Sequence, residues 1–243
     1  MTKLLVNEKD VVVPGELLVE GMDYLPGFGT YREGDNIYSG RLGLVTLDGR
    51  TIKLLKLSGR YSPKRNDTII CKVVDVNFSG WRLETNSPYS AMLSMKDATS
   101  EFIARGADLT QYYKIGDNII CKITNVTSQK LIDVTMKGPG LRKLMGGRIV
   151  PINTNKVPRV IGKQGSMVSM IKQATNARIM VGQNGLVWIQ GDIPAMELLA
   201  VRTIQKIEDE AHVSGLTDRI KEFLEKETGT TLGGTSNVVQ ETN

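Results

Sequence analysis

The sequence predicts a multidomain, mainly β plus α/β protein: a small N-terminal β domain, a five-stranded closed barrel, and a βααββα domain with a C-terminal helical extension. Three observations lead there. From the N-terminus to Met136, short apolar runs alternate with turn-forming Gly, Pro, Asn and Asp. Two similar segments, Asp67-Thr68-Ile69-Ile70-Cys71-Lys72-Val73 and Asp117-Asn118-Ile119-Ile120-Cys121-Lys122-Ile123, echo each other fifty residues apart. Val157 to Lys172 reads as two helical patterns broken at Gly162-Lys163-Gln164-Gly165.

Residues 1–60 read as an all-β domain. Val11-Val12-Val13-Pro14-Gly15 is a strand entering a turn, and Leu42–Leu47 with Thr51–Leu57 forms a hairpin about Asp48-Gly49, a pair suited to a type I′ turn. Nothing here has catalytic spacing, which leaves a docking domain or a stabilising extension. Ser62-Pro63-Lys64-Arg65-Asn66 is a linker. Within residues 61–138, strands are expected at the two echoing segments, at 81–85, at 89–93 and at 131–136, with a helix from Ser100 to Gly106 between the third and fourth. That is an OB-fold arrangement, which carries oligonucleotides on strands two and three. Trp81, Arg82 and Tyr89 fall on those strands and Lys72 on the first, so one or two of them are candidates for RNA contact by stacking, cation–π attraction or charge. Alternation leaves open which of the aromatic rings face the core.

Residues 139–227 hold the loop that organises the chain. Pro158 suits a first helical turn, Val160 and Ile161 give it an apolar face, and Gly162 stops it. A second helix restarts at once, with Met167, Met170, Ile171 and Ala174 on one stripe. Arg148–Val150 before the pair reads as a strand; after it, Ala177, Ile179 and Val181 alternate, Asn184-Gly185 turns, and Val187 and Ile189 return. Pro194 opens a helix that runs to Ala211, and beyond Gly215 Thr217 is a candidate cap for a further one. Residues 228–243, rich in Gly, Thr, Ser and Asn, are expected to be a disordered tail. Two glycines before a helix N-terminus let a phosphodiester approach free N–H groups, and Arg159, Lys163 and Gln164 stand at the same place.

Charge singles out the same region. From Val134 to Gly191 there are nine Lys and Arg and no Asp or Glu, within a chain whose net charge is only +5. That block is the footprint of a phosphate-backbone binder. Cys71 and Cys121 form no CxxC pair and the chain has one histidine, so neither a metal site nor a disulfide framework nor any cofactor is indicated. The lack of an apolar leader or of a long apolar run points to a soluble, cytoplasmic protein without a membrane partner.

The order β-α-GxxG-α-β-β-α resembles a type I KH domain, whose loop clamps about four nucleotides of single-stranded RNA or DNA. Several motifs extend the likeness: Gly80-Trp81-Arg82 with Asn86-Ser87-Pro88-Tyr89, Gly138-Pro139-Gly140, Val157 to Met167, Val181-Gly182-Gln183-Asn184-Gly185, and Ala211 to Ile220. On these, residues 5–225 resemble the RNA-binding cap subunits of the archaeal exosome, which combine an N-terminal β domain, an S-one domain of OB type and a KH domain. The resemblance implies a non-catalytic subunit that binds single-stranded RNA. Three copies would sit on a ring of RNase-PH-like proteins and guide RNA into its pore for degradation. Gly182-Gln183-Asn184-Gly185 is similar to a GxNG signature of such KH domains; locally it is a hairpin turn, and we assign it structure rather than RNA. Two other classes use the same modules, a free-standing RNA-binding regulator and a phosphorolytic ribonuclease. The second needs a large catalytic core for which three small domains leave no room.

Overall fold

Among the described residues of the first unit, Met1–Gly59, the alternating pattern becomes eight short strands. The computed structural model describes residues 3–57, 59–104, 106–213 and 215–229. The strands are β1 (Lys3–Leu4), β2 (Val11–Val12), β3 (Leu17–Glu20), β4 (Leu25–Pro26), β5 (Thr30–Glu33), β6 (Asn36–Ser39), β7 (Gly43–Asp48) and β8 (Thr51–Lys56). They form two four-stranded sheets, ordered β1-β3-β6-β5 and β2-β7-β8-β4. Leu18, Val19 and Ile37 of the first sheet share one core with Val12, Val45, Ile52 and Leu54 of the second; β7 and β8 bury alternate residues, while a register shift between Leu17 and Val19 lets the consecutive Leu18 and Val19 both face inward. The hairpin turn is displaced by one residue from the expected Asp-Gly. Asp48 pairs with Thr51, so Gly49 and Arg50 make the turn. Only Gly49 has a positive φ (59°), whereas type I′ needs one at both positions.

The second unit, Arg60–Asn243, begins with β9 (Thr68–Asn77), β10 (Gly80–Glu84), β11 (Ser90–Ser94), β12 (Asn118–Val126) and β13 (Ile132–Thr135). β9 pairs with β10, β10 with β11, β11 in parallel with β13, β13 with β12, and β12 back with β9. The sheet therefore closes into the five-stranded OB-type barrel, and the two echoing segments are its adjacent strands β9 and β12. Ile69, Val73, Leu83, Leu93, Ile119 and Ile123 fill it and are fully buried, each contributing about 1.5–3 kcal/mol.

Among the described residues, the helix expected from Ser100 to Gly106 does not form. The helical residues are α1 (Met95–Ala98), where the Ser94 side chain accepts the Lys96 N–H, and a 3-10 turn at Leu109–Gln111. Ile103 and Leu109 both sink into the barrel core, and six positions do not fall on one helical stripe, so burial favours an irregular strap. A short β14 (Arg142–Leu144), with no strand expected there from the sequence, adds to β12.

The KH pattern forms as β15 (Arg148–Pro151), α2 (Val157–Ile161), α3 (Ser166–Thr175), β16 (Arg178–Val181), β17 (Leu186–Gln190) and α4 (Pro194–Glu210), with sheet order β15-β17-β16. Helix α5 (Leu216–Thr228) adds Leu216, Ile220 and Leu224 to the same core. Its N-cap is Gly215, in a left-handed conformation, and Thr217 lies inside the helix instead of capping it. Of the expected tail, 228–243, Thr228 instead ends α5 and Gly229 caps it, while 230–243 lie outside the described residues. No helix among the described residues is long and apolar enough to cross a membrane.

Barrel and KH fold are joined at the turn between β16 and β17. Asn184, fully buried, donates its amide to the carbonyls of Ile70 (2.7 Å) and Thr85 (2.8 Å), and its Oδ1 accepts the Ile70 N–H at 3.2 Å. Asn86 Nδ2 donates to the Asn184 carbonyl at 3.0 Å, and the Gln183 N–H donates to the Thr68 carbonyl at 2.8 Å. Beside them Ile70, Ile120, Leu144 and Trp188 form a separate apolar cluster. The turn is structural, as its local sequence suggested.

Candidate nucleic-acid interface

Helix α2 is five residues long because its sequence stops it. Val157 and Val160 are buried, and at Gly162 φ is 76°. A Cβ there would stand 2.6 Å from both Cβ and N of Met167, so conformation and space both demand glycine. Gln164 (φ 53°) and Gly165 (φ 81°) are also left-handed, and α3 begins directly after them. A Cβ on Gly165 would meet nothing within 4 Å; the backbone here is open on the side a ligand would approach. Lys163, Gln164 and Arg159 are exposed around it. The Ser166 N–H is taken by the Lys163 carbonyl and the Gly165 N–H by the Gly162 carbonyl, so what the start of α3 offers an anion is the positive end of the helix dipole. The structure thus brings together the five loop residues singled out in the sequence, in a form able to hold a phosphate.

The acid-free run is only partly available for RNA. Lys143 is bound to Asp117 at 2.5 Å, Arg148 to Glu197 at 2.5 Å, and Lys156 donates to the Glu208 carbonyl at 2.7 Å. Burial would raise the pKa of Asp117, but the Lys143 ammonium and the Lys114 N–H outweigh it and hold the carboxyl below its usual range. Arg159, Lys163, Lys172 and Arg178 are exposed and have no ion-pair partner among the described residues. These four are unpaired exposed cations of that run.

On the barrel the sequence candidates separate. Lys72 and Arg82 are exposed, but Glu84 is the register partner of Lys72 and Asp75 sits 3.3 Å from Arg82. Tyr89 is exposed on a loop whose carbonyl accepts from the Thr85 and Ser87 hydroxyls. Trp81 is corrected. It is fully buried, donates Nε1–H to the Tyr113 carbonyl at 3.0 Å, and meets the Tyr113 ring edge-on at 5.2 Å. It belongs to the barrel core and offers no face to a base. Two further rings of this part of the chain stand in solvent, Phe78 and Phe102, which sequence reasoning passed over. Phe78 lies in the Asn77-Phe78-Ser79-Gly80 hairpin turn, whose two central residues have ordinary negative φ, so the turn itself gave no signal.

Comparison with known proteins agrees with this geometry. A KH domain model matches residues 148–206, and a model described as the N-terminal region of exosome complex exonuclease RRP4 matches residues 11–48. A protein of Pyrococcus furiosus named exosome complex component Rrp4 is 46% identical over 227 residues, covering 92% of this chain and 86% of that one. The chain belongs to the Rrp4 family of exosome components. A second Rrp4, from Methanothermus fervidus, is 46% identical over 222 residues, 91% of this chain and 97% of its own. Among solved structures, a crystal structure provisionally described as an exosome complex RNA-binding protein superposes with a TM-score of 0.62 at 34% identity, over 70% of this chain and 97% of that one. As a member of the Rrp4 family, this chain carries an RNA-binding KH fold beside its barrel.

Proposed function

We propose that this chain is a non-catalytic RNA-binding subunit of a cytoplasmic exosome-like 3′-5′ degrading complex. It caps a ring of RNase-PH-like subunits, three copies to a ring, and guides single-stranded RNA into the pore. The observation that carries this is the open GxxG loop, Gly162 to Gly165, with exposed Lys163, Gln164 and Arg159 around it, in a chain of the Rrp4 family.

Docking through the first unit is supported by its outer sheet face. Val11, Leu44 and Leu55 are register partners across β2, β7 and β8, and Leu42 and Leu57 follow just beyond the ladder. Four of these five are exposed, an aliphatic row of the kind protein interfaces cover. The non-catalytic part rests on a chain shared among three small folds, whose one histidine, His212, is exposed beyond the end of α4. Mixing the purified chain with candidate ring subunits and measuring particle size tests the proposal. Co-elution supports a cap, whereas elution at its own size, with RNA still bound, would make it a free-standing regulator. RNA degradation by the clean protein, abolished by a point substitution within it, would make it an enzyme.

A further inference from the structure

Away from the GxxG loop, the fold leaves two arginines of the acid-free run without a charge partner. Arg142 lies on β14 and Arg178 opens β16; both are exposed, and neither has an ion-pair partner among the described residues. Far apart in the chain, they meet around Trp188. The Arg142 guanidinium stands 5.9 Å from the centre of the Trp188 ring, and Trp188 Nε1–H donates to the Gly146 carbonyl at 2.8 Å. Gln190, two positions on, lies against the same loop. Its Nε2 is 3.5 Å from where a Cβ of Gly146 would stand, and its Cβ is 3.0 Å from where one of Gly147 would. Arg178 is the register partner of Gln190 and so shares its face of the sheet. That face is turned away from the helices. Ile179 and Ile189, one position along each strand, are buried in the helix-facing core, so Arg178 and Gln190 point to the other side. The GxxG loop, which joins α2 to α3, belongs to the helical side.

Backbone completes the patch. Gly146 and Gly147 are exposed and both left-handed (φ 64° and 71°), and neither N–H donates to an acceptor among the described residues. Packing explains only one of these glycines. A Cβ on Gly147 would stand 2.4 Å from the Ile189 carbonyl oxygen, whereas on Gly146 it would meet Gln190 Nε2 alone, at ordinary contact distance. Successive backbone N–H groups beside guanidinium forks are the components of an oxyanion site. Acids do not cancel them. None occurs from Val134 to Gly191, and on neighbouring elements Asp117 is taken by Lys143 and Glu197 by Arg148.

We propose that Arg142, Arg178 and the Gly146-Gly147 backbone hold successive phosphodiesters of single-stranded RNA, a second grip on the side of the KH sheet opposite the GxxG loop. It rests on the RNA-binding reading above. The test measures affinity of the full chain for a labelled oligouridylate against salt, below every melting temperature. Wild type is compared with the Arg142→Gln, Arg178→Gln pair, the Arg142→Lys, Arg178→Lys pair, Gly146→Asn and Gly146→Asp, and with Lys163→Asp, Gln164→Asp as the loop variant. Losing two phosphate contacts should lower the salt slope by about 1.4 and, at about 0.1 M salt, weaken binding about twenty-five-fold. The lysine pair keeps both charges and should keep the slope. Asn and Asp are alike in size and both tolerate a left-handed backbone, so the two Gly146 variants should melt alike. The added carboxylate should cancel one contact, making Gly146→Asp bind about fivefold more weakly than Gly146→Asn at the same salt. A glutamine pair with unchanged affinity and slope overturns the second grip, as do Gly146 variants that bind alike; a loss in the loop variant then leaves the GxxG reading standing. Weaker binding of the glutamine pair at an unchanged slope also overturns it, because packing of Arg142 on Trp188 and not charge was lost. A wild type that binds no oligouridylate overturns both readings. A glutamine pair that binds RNA as wild type but no longer co-elutes with ring subunits assigns the arginines to a carboxylate of a protein and overturns the proposal as well.

Discussion

Replacing Asn184 by alanine removes two donors and one acceptor from a fully buried position. The pairing of β10 with β9 reaches only as far as Lys72, so at Ile70 the N–H and C=O have no strand partner on that side. The Asn184 amide takes both and the Thr85 carbonyl as well, acting as a one-residue continuation of the sheet supplied by the KH fold. Three hydrogen bonds at a net of about 0.5–1.5 kcal/mol each give about 1.5–4.5 kcal/mol. The buried groups left behind push the loss towards the upper half, about 3 kcal/mol or more. For a unit of this size about 1 kcal/mol moves the melting temperature by roughly 2–4 °C, so a fall of roughly 6–12 °C is expected. Scanning calorimetry is the assay. The wild-type barrel and KH fold should melt in one transition, and Asn184→Ala should lower it and split it in two. Asn184→Asp should be worse at neutral pH, since a carboxylate then faces two carbonyls, and should recover partly on acidification as the carboxyl regains a donor. A shift under roughly 2 °C with a single transition would refute this account of the seam.

Gly162→Ala should destabilise more than Gly165→Ala in chemical denaturation. Gly165 carries the left-handed penalty of about 1–2 kcal/mol, whereas Gly162, at φ 76° and ψ 174°, lies where essentially only glycine goes, and there alone the new Cβ strikes Met167. Trp81→Phe should cost about 2 kcal/mol through the unpaired Tyr113 carbonyl and the void left behind, with RNA affinity below the melt unchanged, because the side chain is core. Stability of the barrel should fall as pH rises above roughly 9. Burial, then the hydrogen bond to Asp67, pushes the Tyr61 hydroxyl far up, and burial with the adjacent Cys121 thiol pushes Cys71 up. The folded state then keeps protons that the unfolded chain releases. Tyr61→Phe should flatten the part of that slope above about pH 10, as read by urea titrations across pH.

What could be read before the structure was whatever depends on neighbours in the chain. The GxxG loop was legible because stopping and restarting a helix within four residues needs glycine locally. The barrel was legible because its strands alternate, and because β9 and β12 repeat one pattern. Phe78 and Phe102 escaped because exposure is decided by what fails to cover a residue. Trp81 sat on the right strand, but its face depended on Tyr113, thirty-two positions away. Asn184 looked like an ordinary turn residue, and its partner Ile70 is 114 positions distant. The misplaced helix after β11 and the unforeseen β14 have one cause: tertiary burial or an available strand edge outweighed weak local preference in short segments.

The central claim is that the GxxG loop of this chain grips RNA by its phosphates. Affinity for single-stranded RNA against salt, for wild type and for Lys163→Asp with Gln164→Asp, tests it most directly. Two carboxylates would then lie where a phosphate should, beside the N-terminus of α3. The account predicts weaker binding and a salt slope lower by about one, with the melting temperature unchanged because both residues are exposed. Unchanged affinity and slope at an unchanged melting temperature would contradict it, and would leave RNA to the rest of the chain.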